Sequence, residues 1–189
     1  MASKSTASPR ARLLEAADKL FYDEGIHTVG IDRLLELAGV AKASLYSTFG
    51  SKDALVAEYL AARLVRRNER LEEALAQVHA PRARILVVFD VLAQRVAEKD
   101  FRGCAFFRAA AEGEPTPRLD SVLTESRRWL RGLFQDLAAS AGARDPGRLA
   151  AQLMLLYDGA IVVAQMDRDA SAALAAKDAA EALLDAQHL

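Results

Sequence analysis

Residues 31–52 read IDRLLELAGVAKASLYSTFGSK, two short helical patterns that meet at Gly39. In the first, Ile31, Leu34, Leu35 and Ala38 recur at i, i+3, i+4 and i+7. They therefore share one helical face, and that face is expected to be buried. Gly39 can take the left-handed conformation that ends such a helix and lets the chain turn. In the second, Leu45 and Phe49 lie four residues apart and point inward together, while Lys42, Ser44, Ser47 and Thr48 point outward with Tyr46 at the margin. A helix with so little bulk on its outer face can enter a DNA major groove, about 12 Å wide, where lysine, tyrosine and hydroxyl groups donate to phosphates and base edges. This is how a helix-turn-helix reads. Two short amphipathic helices around a glycine also occur in helical domains that never touch DNA, so the spacing alone leaves both readings open.

The wider wording narrows the choice. Gly25 follows a first helix, and Gly39-Val40, Leu45-Tyr46, Phe49, Ser51-Lys52 and Asp53-Ala54-Leu55 follow in order. In this wording the segment from about residue 10 to residue 60 resembles the amino-terminal domain of the tetracycline-repressor (TetR) family of transcriptional regulators. Two positions depart from the usual family pattern. Gly30, preceded by Val29, stands where a serine or threonine commonly starts the second helix; glycine is an acceptable N-cap but offers no side-chain oxygen to the orphan amides and no hydroxyl to a phosphate. Ala43 replaces a frequent glycine or proline, which a helix tolerates.

The resemblance implies an all-α fold of about nine helices. Residues 1–50 would form a three-helix DNA-binding domain, and residues 51–189 a helical domain for ligand binding and dimerisation. It implies a regulator, in the first instance a repressor, that binds a palindromic operator as a homodimer and is released by a small molecule. Lys42, Ala43, Ser44 and Ser47 are then expected on the base-facing surface, Tyr46 and Lys52 on phosphates, Thr48 on either, and Thr28 and Gly30 beside the start of the second helix. A ligand pocket is expected among Phe89, Phe101, Phe107, Trp129, Met154 and Tyr157, with Cys104, Arg108 and Asp158 as polar groups. Most of these aromatics read equally well as core, Arg108 with Asp158 as a structural ion pair, and Cys104 as an inert thiol or a redox sensor. The dimer is expected to close on the last two helices, through Gly159, Ile161, Val162, Val163 and Leu183. Control by a partner protein, or by no ligand at all, is the alternative.

Composition is compatible with this and excludes other classes. A chain of 189 residues with 52% hydrophobic content can bury a substantial core. Charge does not argue for DNA: the net charge is -1, and residues 1–56 hold seven Lys or Arg against seven Asp or Glu. Placement does, since between Gly39 and Lys52 there are two lysines and no acid. One cysteine excludes an intrachain disulfide. The histidines His27, His79 and His188 are dispersed, and no GxSxG, GxGxxG or HExxH occurs, so neither a metal, a cofactor nor an enzyme is expected. An all-helical enzyme whose Glu112, Asp158 and Cys104 converge only in the fold is the competing class. The opening residues lack an apolar signal-peptide core, which points to the cytoplasm. Leu149 to Met166 is apolar but interrupted by Gln152, Asp158 and Gln165, which argues against a membrane span.

Along the chain, helices are expected over 9–24, the two segments above, 51–78, 81–99, 103–113, 118–141, 148–166 and 170–186, with a turn at 114–117. Ser8 and Pro9 start the first helix. Lys4, Arg10 and Arg12 form a basic start that reads either as phosphate contacts or as a tail.

Overall fold

The structure is a computed structural model that describes residues 7–112 and 116–189. Among these residues it contains nine α-helices and no strand. They are α1 (Pro9–Glu24), α2 (Ile31–Ala38), α3 (Lys42–Phe49), α4 (Lys52–Ala76), α5 (Pro81–Ala97), α6 (Ala105–Glu112), α7 (Pro117–Ser140), α8 (Pro146–Asp167) and α9 (Ala172–Asp185). The expected helices are all present, with ends shifted by up to two residues. The start of α8 shows why ends move. Asp145 accepts from the Arg148 amide at 2.9 Å and Pro146 takes the first helical position, so the helix begins two residues earlier than apolar periodicity suggests. Residues 114 and 115 of the turn expected at 114–117 lie outside the described residues; Thr116 Oγ1 accepts from the Leu119 amide at 3.2 Å and so starts α7.

Contacts divide the chain into two compact units that do not part at residue 50. The first holds residues 1–63 and 105–123, the second 64–104 and 124–189. The first unit thus gains the start of α4, all of α6 and the first turns of α7 in addition to the expected three helices.

Within the first unit the core is built from Leu13, Ala17, Leu20 and Phe21 of α1, Leu34 and Ala38 of α2, Leu45 and Phe49 of α3, and Leu55, Tyr59 and Leu60 of α4. Phe21 meets Tyr59 edge-on with ring centroids 5.6 Å apart. Burial pushes the Tyr59 phenol well above its usual range, an effect the nearby Arg63 guanidinium partly offsets.

Within the second unit, α5, α8 and α9 pack around Ile85, Val88, Phe89, Leu149, Leu153 and Leu184, with Leu130 and Phe134 supplied by α7. Phe89, Phe134 and Tyr157 form a closed aromatic triangle with centroids 5.9 to 6.4 Å apart. Burial pushes the Tyr157 phenol up to about 12. Among the described residues, α8 is the one helix long and apolar enough to cross a membrane. It is used as a core helix, with Leu149, Leu153, Met154, Tyr157, Ala160 and Ala164 buried. The opposite side stays bare: Leu155 is 74% and Met166 77% exposed, and Val162 and Val163 are exposed beside them.

Candidate nucleic-acid interface

The turn between α2 and α3 forms as the sequence requires. Gly39 sits in the left-handed region at φ 61°, and the Val40 amide returns to the Leu35 carbonyl at 3.2 Å, closing α2. Leu45 and Phe49 anchor α3 in the core, which leaves Lys42, Ala43, Ser47 and Thr48 exposed, Ser44 half-buried and Tyr46 44% exposed. Ser47 Oγ donates to the Ser44 carbonyl at 3.3 Å and keeps its lone pairs for another donor. No acidic side chain lies on α3. Gly30 is the N-cap of α2 and makes no side-chain cap bond, so part of the first turn's amides face outward beside the exposed Thr28.

The support of this face was not legible from apolar spacing. Arg12 of α1 donates from Nη1 to the Gly39 carbonyl at 3.0 Å, tying the turn to α1. Arg10 is paired with Glu58 at 2.6 Å, so neither arginine belongs to a free basic arm; Lys4 lies outside the described residues. Lys52, expected on a phosphate, is turned inward. Its Nζ donates to the Ile26 carbonyl at 2.6 Å and lies 5.8 Å from the centre of the Phe21 ring. Desolvation there holds its pKa below the usual lysine value, against the opposite pull of Asp53. A cavity of about 220 Å³ adjoins this lysine, with His27, Asp53, Val56 and Leu119 in its wall; none of the residues expected to bind a ligand lines it.

The shape, polarity and exposure of α3 are those of a groove-reading helix, and the comparisons with known proteins agree. The sequence model for bacterial regulatory proteins of the tetR family matches residues 13–59. A putative TetR transcriptional regulator from Streptomyces avermitilis is 35% identical, with 97% of this chain and 100% of that one covered and a TM-score of 0.84. The chain belongs to the TetR family. A second TetR-family regulator, from Streptomyces coelicolor, is 30% identical over 95% of each chain, with a TM-score of 0.87. An HTH-type transcriptional regulator of Mycobacterium tuberculosis is 25% identical over 138 residues, 72% of this chain and 68% of that protein. Membership makes this TetR-family protein a transcriptional regulator rather than an enzyme.

The residues expected around a ligand are divided between the two units of this regulator. Phe107 and Arg108 belong to the first unit, the other seven to the second. Phe107 is 65% exposed, because the buried face of α6 is carried by Ala105, Phe106 and Ala109. Arg108 does not pair with Asp158. It contacts Glu112 four residues on and donates to the Tyr22 carbonyl at 2.6 Å, while Asp158 takes Arg127 at 2.7 Å. Phe89 is fully buried and Met154 nearly so, as core should be. Trp129, Tyr157 and the half-buried Cys104 share the surroundings of Arg67: its guanidinium lies 5.4 Å from the Trp129 ring centre and donates to the Ser126 hydroxyl at 3.0 Å. Desolvation lowers the Arg67 pKa, and the neighbouring Tyr157 and Cys104 counter it. Of the expected dimer residues, Gly159, Val162 and Val163 are exposed, and Ile161 and Leu183 half-buried.

Proposed function

We propose that this TetR-family protein is a cytoplasmic repressor that binds a palindromic operator as a homodimer and releases it when a small molecule binds its second unit. The observation that carries the DNA-reading part is α3 itself, whose two large apolar side chains are buried while its outer face holds only small side chains, Lys42 and Tyr46. Lys42, Ala43, Ser44 and Ser47 face the bases, and Tyr46, Thr48, Thr28 and the Gly30 end of α2 face phosphates. Residues 1–50 are the reading part and residues 51–189 the ligand and dimer part of this scheme. The occupant of the bare side of α8 is a second copy of the chain, meeting it at Gly159, Ile161, Val162 and Val163, with Leu183 of α9. A two-fold dimer then presents two recognition helices to half-sites about 34 Å apart. A ligand held beside Arg67, Cys104, Trp129 and Tyr157 would act through α4, one continuous helix from Lys52 to Ala76. A coupling of about 1 to 3 kcal/mol would change operator affinity by roughly 5- to 150-fold.

Gel shift on the DNA upstream of the protein's own gene tests the reading, with random DNA of equal length as reference. Wild type is expected to prefer the upstream DNA, Lys42→Ala to lose part of that preference, and Tyr46→Ala to weaken both DNAs alike. A folded dimer with no preference for any upstream DNA would overturn the reading.

A further inference from the structure

Helix α1 ends in an unusual way. Its last regular bond runs from the Gly25 amide to the Phe21 carbonyl at 3.2 Å. In a continuing helix the next would run from the Ile26 amide to the Tyr22 carbonyl. Both partners are instead taken by α6: Ile26 N donates to Glu112 Oε2 at 2.8 Å, and Arg108 Nη1 donates to the Tyr22 carbonyl at 2.6 Å. The two side chains are themselves 3.4 Å apart and largely shielded from solvent. An ion pair thus stands in place of one helical hydrogen bond, and it satisfies a carbonyl and an amide that the end of α1 would otherwise orphan. Gly25 makes room for it. At φ 99° any side chain here would be strained, and its Cβ would lie 3.0 Å from Glu112 Oε2, so the carboxylate would have to give by a few tenths of an ångström. On the other side of the same residue, Lys52 holds the Ile26 carbonyl.

We infer that Arg108 and Glu112 are positioning residues of the DNA-reading head: a wedge that fixes where α1 stops and, through Ile26, where α2 and α3 start. With the wedge withdrawn, Ile26 N and the Tyr22 carbonyl lose their partners while Gly25, at φ 99°, keeps α1 from simply running on, so the turn loosens and the path into Val29 and Gly30 changes. The wedged turn pre-organises the head, so its loss costs operator affinity. This extends to α6 the α4 route proposed above. Gly103, at φ 87°, and Cys104 are the residues that carry the chain into α6, so a displacement in that segment reaches the wedge along the backbone itself. The inference rests on the DNA-binding reading for its consequence, though not for its geometry.

A charge-swapped double variant separates this role from an ordinary helical ion pair. Arg108→Glu with Glu112→Arg keeps an i,i+4 pair on α6, but arginine at 112 cannot accept from Ile26 N and glutamate at 108 cannot donate to the Tyr22 carbonyl. Expected are faster amide exchange at Ile26 and a roughly tenfold loss of affinity for the upstream DNA, the scale of one charge-assisted hydrogen bond. Far-ultraviolet circular dichroism and oligomeric size should stay as in wild type. Glu112→Gln, whose amide oxygen can still accept, should stay near wild type in both readouts, and Glu112→Ala should not. Wild-type exchange at Ile26 in the swapped variant, or in Glu112→Ala if the swap does not fold, would overturn the inference. So would unchanged DNA affinity alongside faster exchange. Failure of wild type itself to bind upstream DNA would instead sink the functional reading, and the exchange comparison would still decide the wedge.

Discussion

In the first unit, α2 and α3 have eight residues each and bury two side chains apiece; in the second, α8 and α9 have 22 and 14 residues and bury eleven between them. Helices of eight residues are not stable alone, and two apolar anchors orient a helix without fixing its ends. The first unit supplies the rest with long side chains aimed at backbone atoms: Arg12 at Gly39, Lys52 and Glu112 at Ile26, Arg108 at Tyr22. Each such bond has a set direction and length, so it fixes the position of a turn more finely than apolar contact does. The second unit relies chiefly on burial, which is stronger in sum and less exacting in register, and adds a few ties of the first kind, Arg67 to the Ser126 carbonyl and Arg82 to that of Leu189. A head that must match DNA spacing needs the first kind of support; a body that must hold together needs the second.

The contrast is broken most directly in the core of the second unit. Phe134 is fully buried against Phe89 and Tyr157, so Phe134→Ala should cost about 3 to 5 kcal/mol in urea unfolding. A loss below about 1 kcal/mol would mean that the aromatic triangle is not close-packed. Met166→Glu follows. If a second copy covers the bare side of α8, a charge there is buried unpaired, and dimerisation should weaken by at least about 3 kcal/mol with little change in protomer fold. Light scattering on the purified variant reads this directly, and an intact dimer at micromolar concentration would move the interface elsewhere.

Alkaline pH sharpens the burial side of the comparison. A phenol raised to about 12 by burial favours the neutral, folded chain. Its contribution is complete below pH 10, where the unfolded chain's tyrosine is also neutral, and it is lost as pH rises through about 12. Tyr157 should therefore account for roughly 2 to 3 kcal/mol of alkaline destabilisation between those values. Tyr157→Phe should flatten that part of the stability profile and leave the share of Tyr59. An unchanged slope would mean that the Tyr157 phenol meets water.

The same contrast explains what could be read from the sequence. Helix existence and buried faces follow from the periodicity of apolar side chains, so Leu45 with Phe49 was legible. The outer face of α3 was legible too, because exposure is the complement of that burial. The polar ties were not. Arg108 and Glu112 show i,i+4 spacing, which announces a pair, but their real targets are a backbone carbonyl and an amide that no residue type encodes. The sequence points Lys52 to the outside for the same reason, since it carries no sign of the Ile26 carbonyl that draws it in. In the second unit the difficulty is reversed: aromatic residues serve core and pocket alike, and Phe89 took the first role.

The smallest expected effect isolates a single tie. Arg12 Nη1 holds the Gly39 carbonyl at 3.0 Å, while its Nε is buried without a hydrogen-bond partner among the described residues. Arg12→Met removes the useful bond and the unsatisfied donor together, so the two terms oppose each other and the net cost should be about 1 kcal/mol or less. Arg12→Lys can keep a donor near Gly39 and drops Nε altogether, so it should unfold at the wild-type urea concentration or slightly above it. If positional support is what the first unit lacks in apolar contact, Arg12→Met should also speed amide exchange at Val40, the residue that closes the turn, beyond what its global stability accounts for. Exchange that merely tracks global unfolding would place Arg12 among the ordinary surface ties and leave the turn to Gly39 and the two anchors of α3.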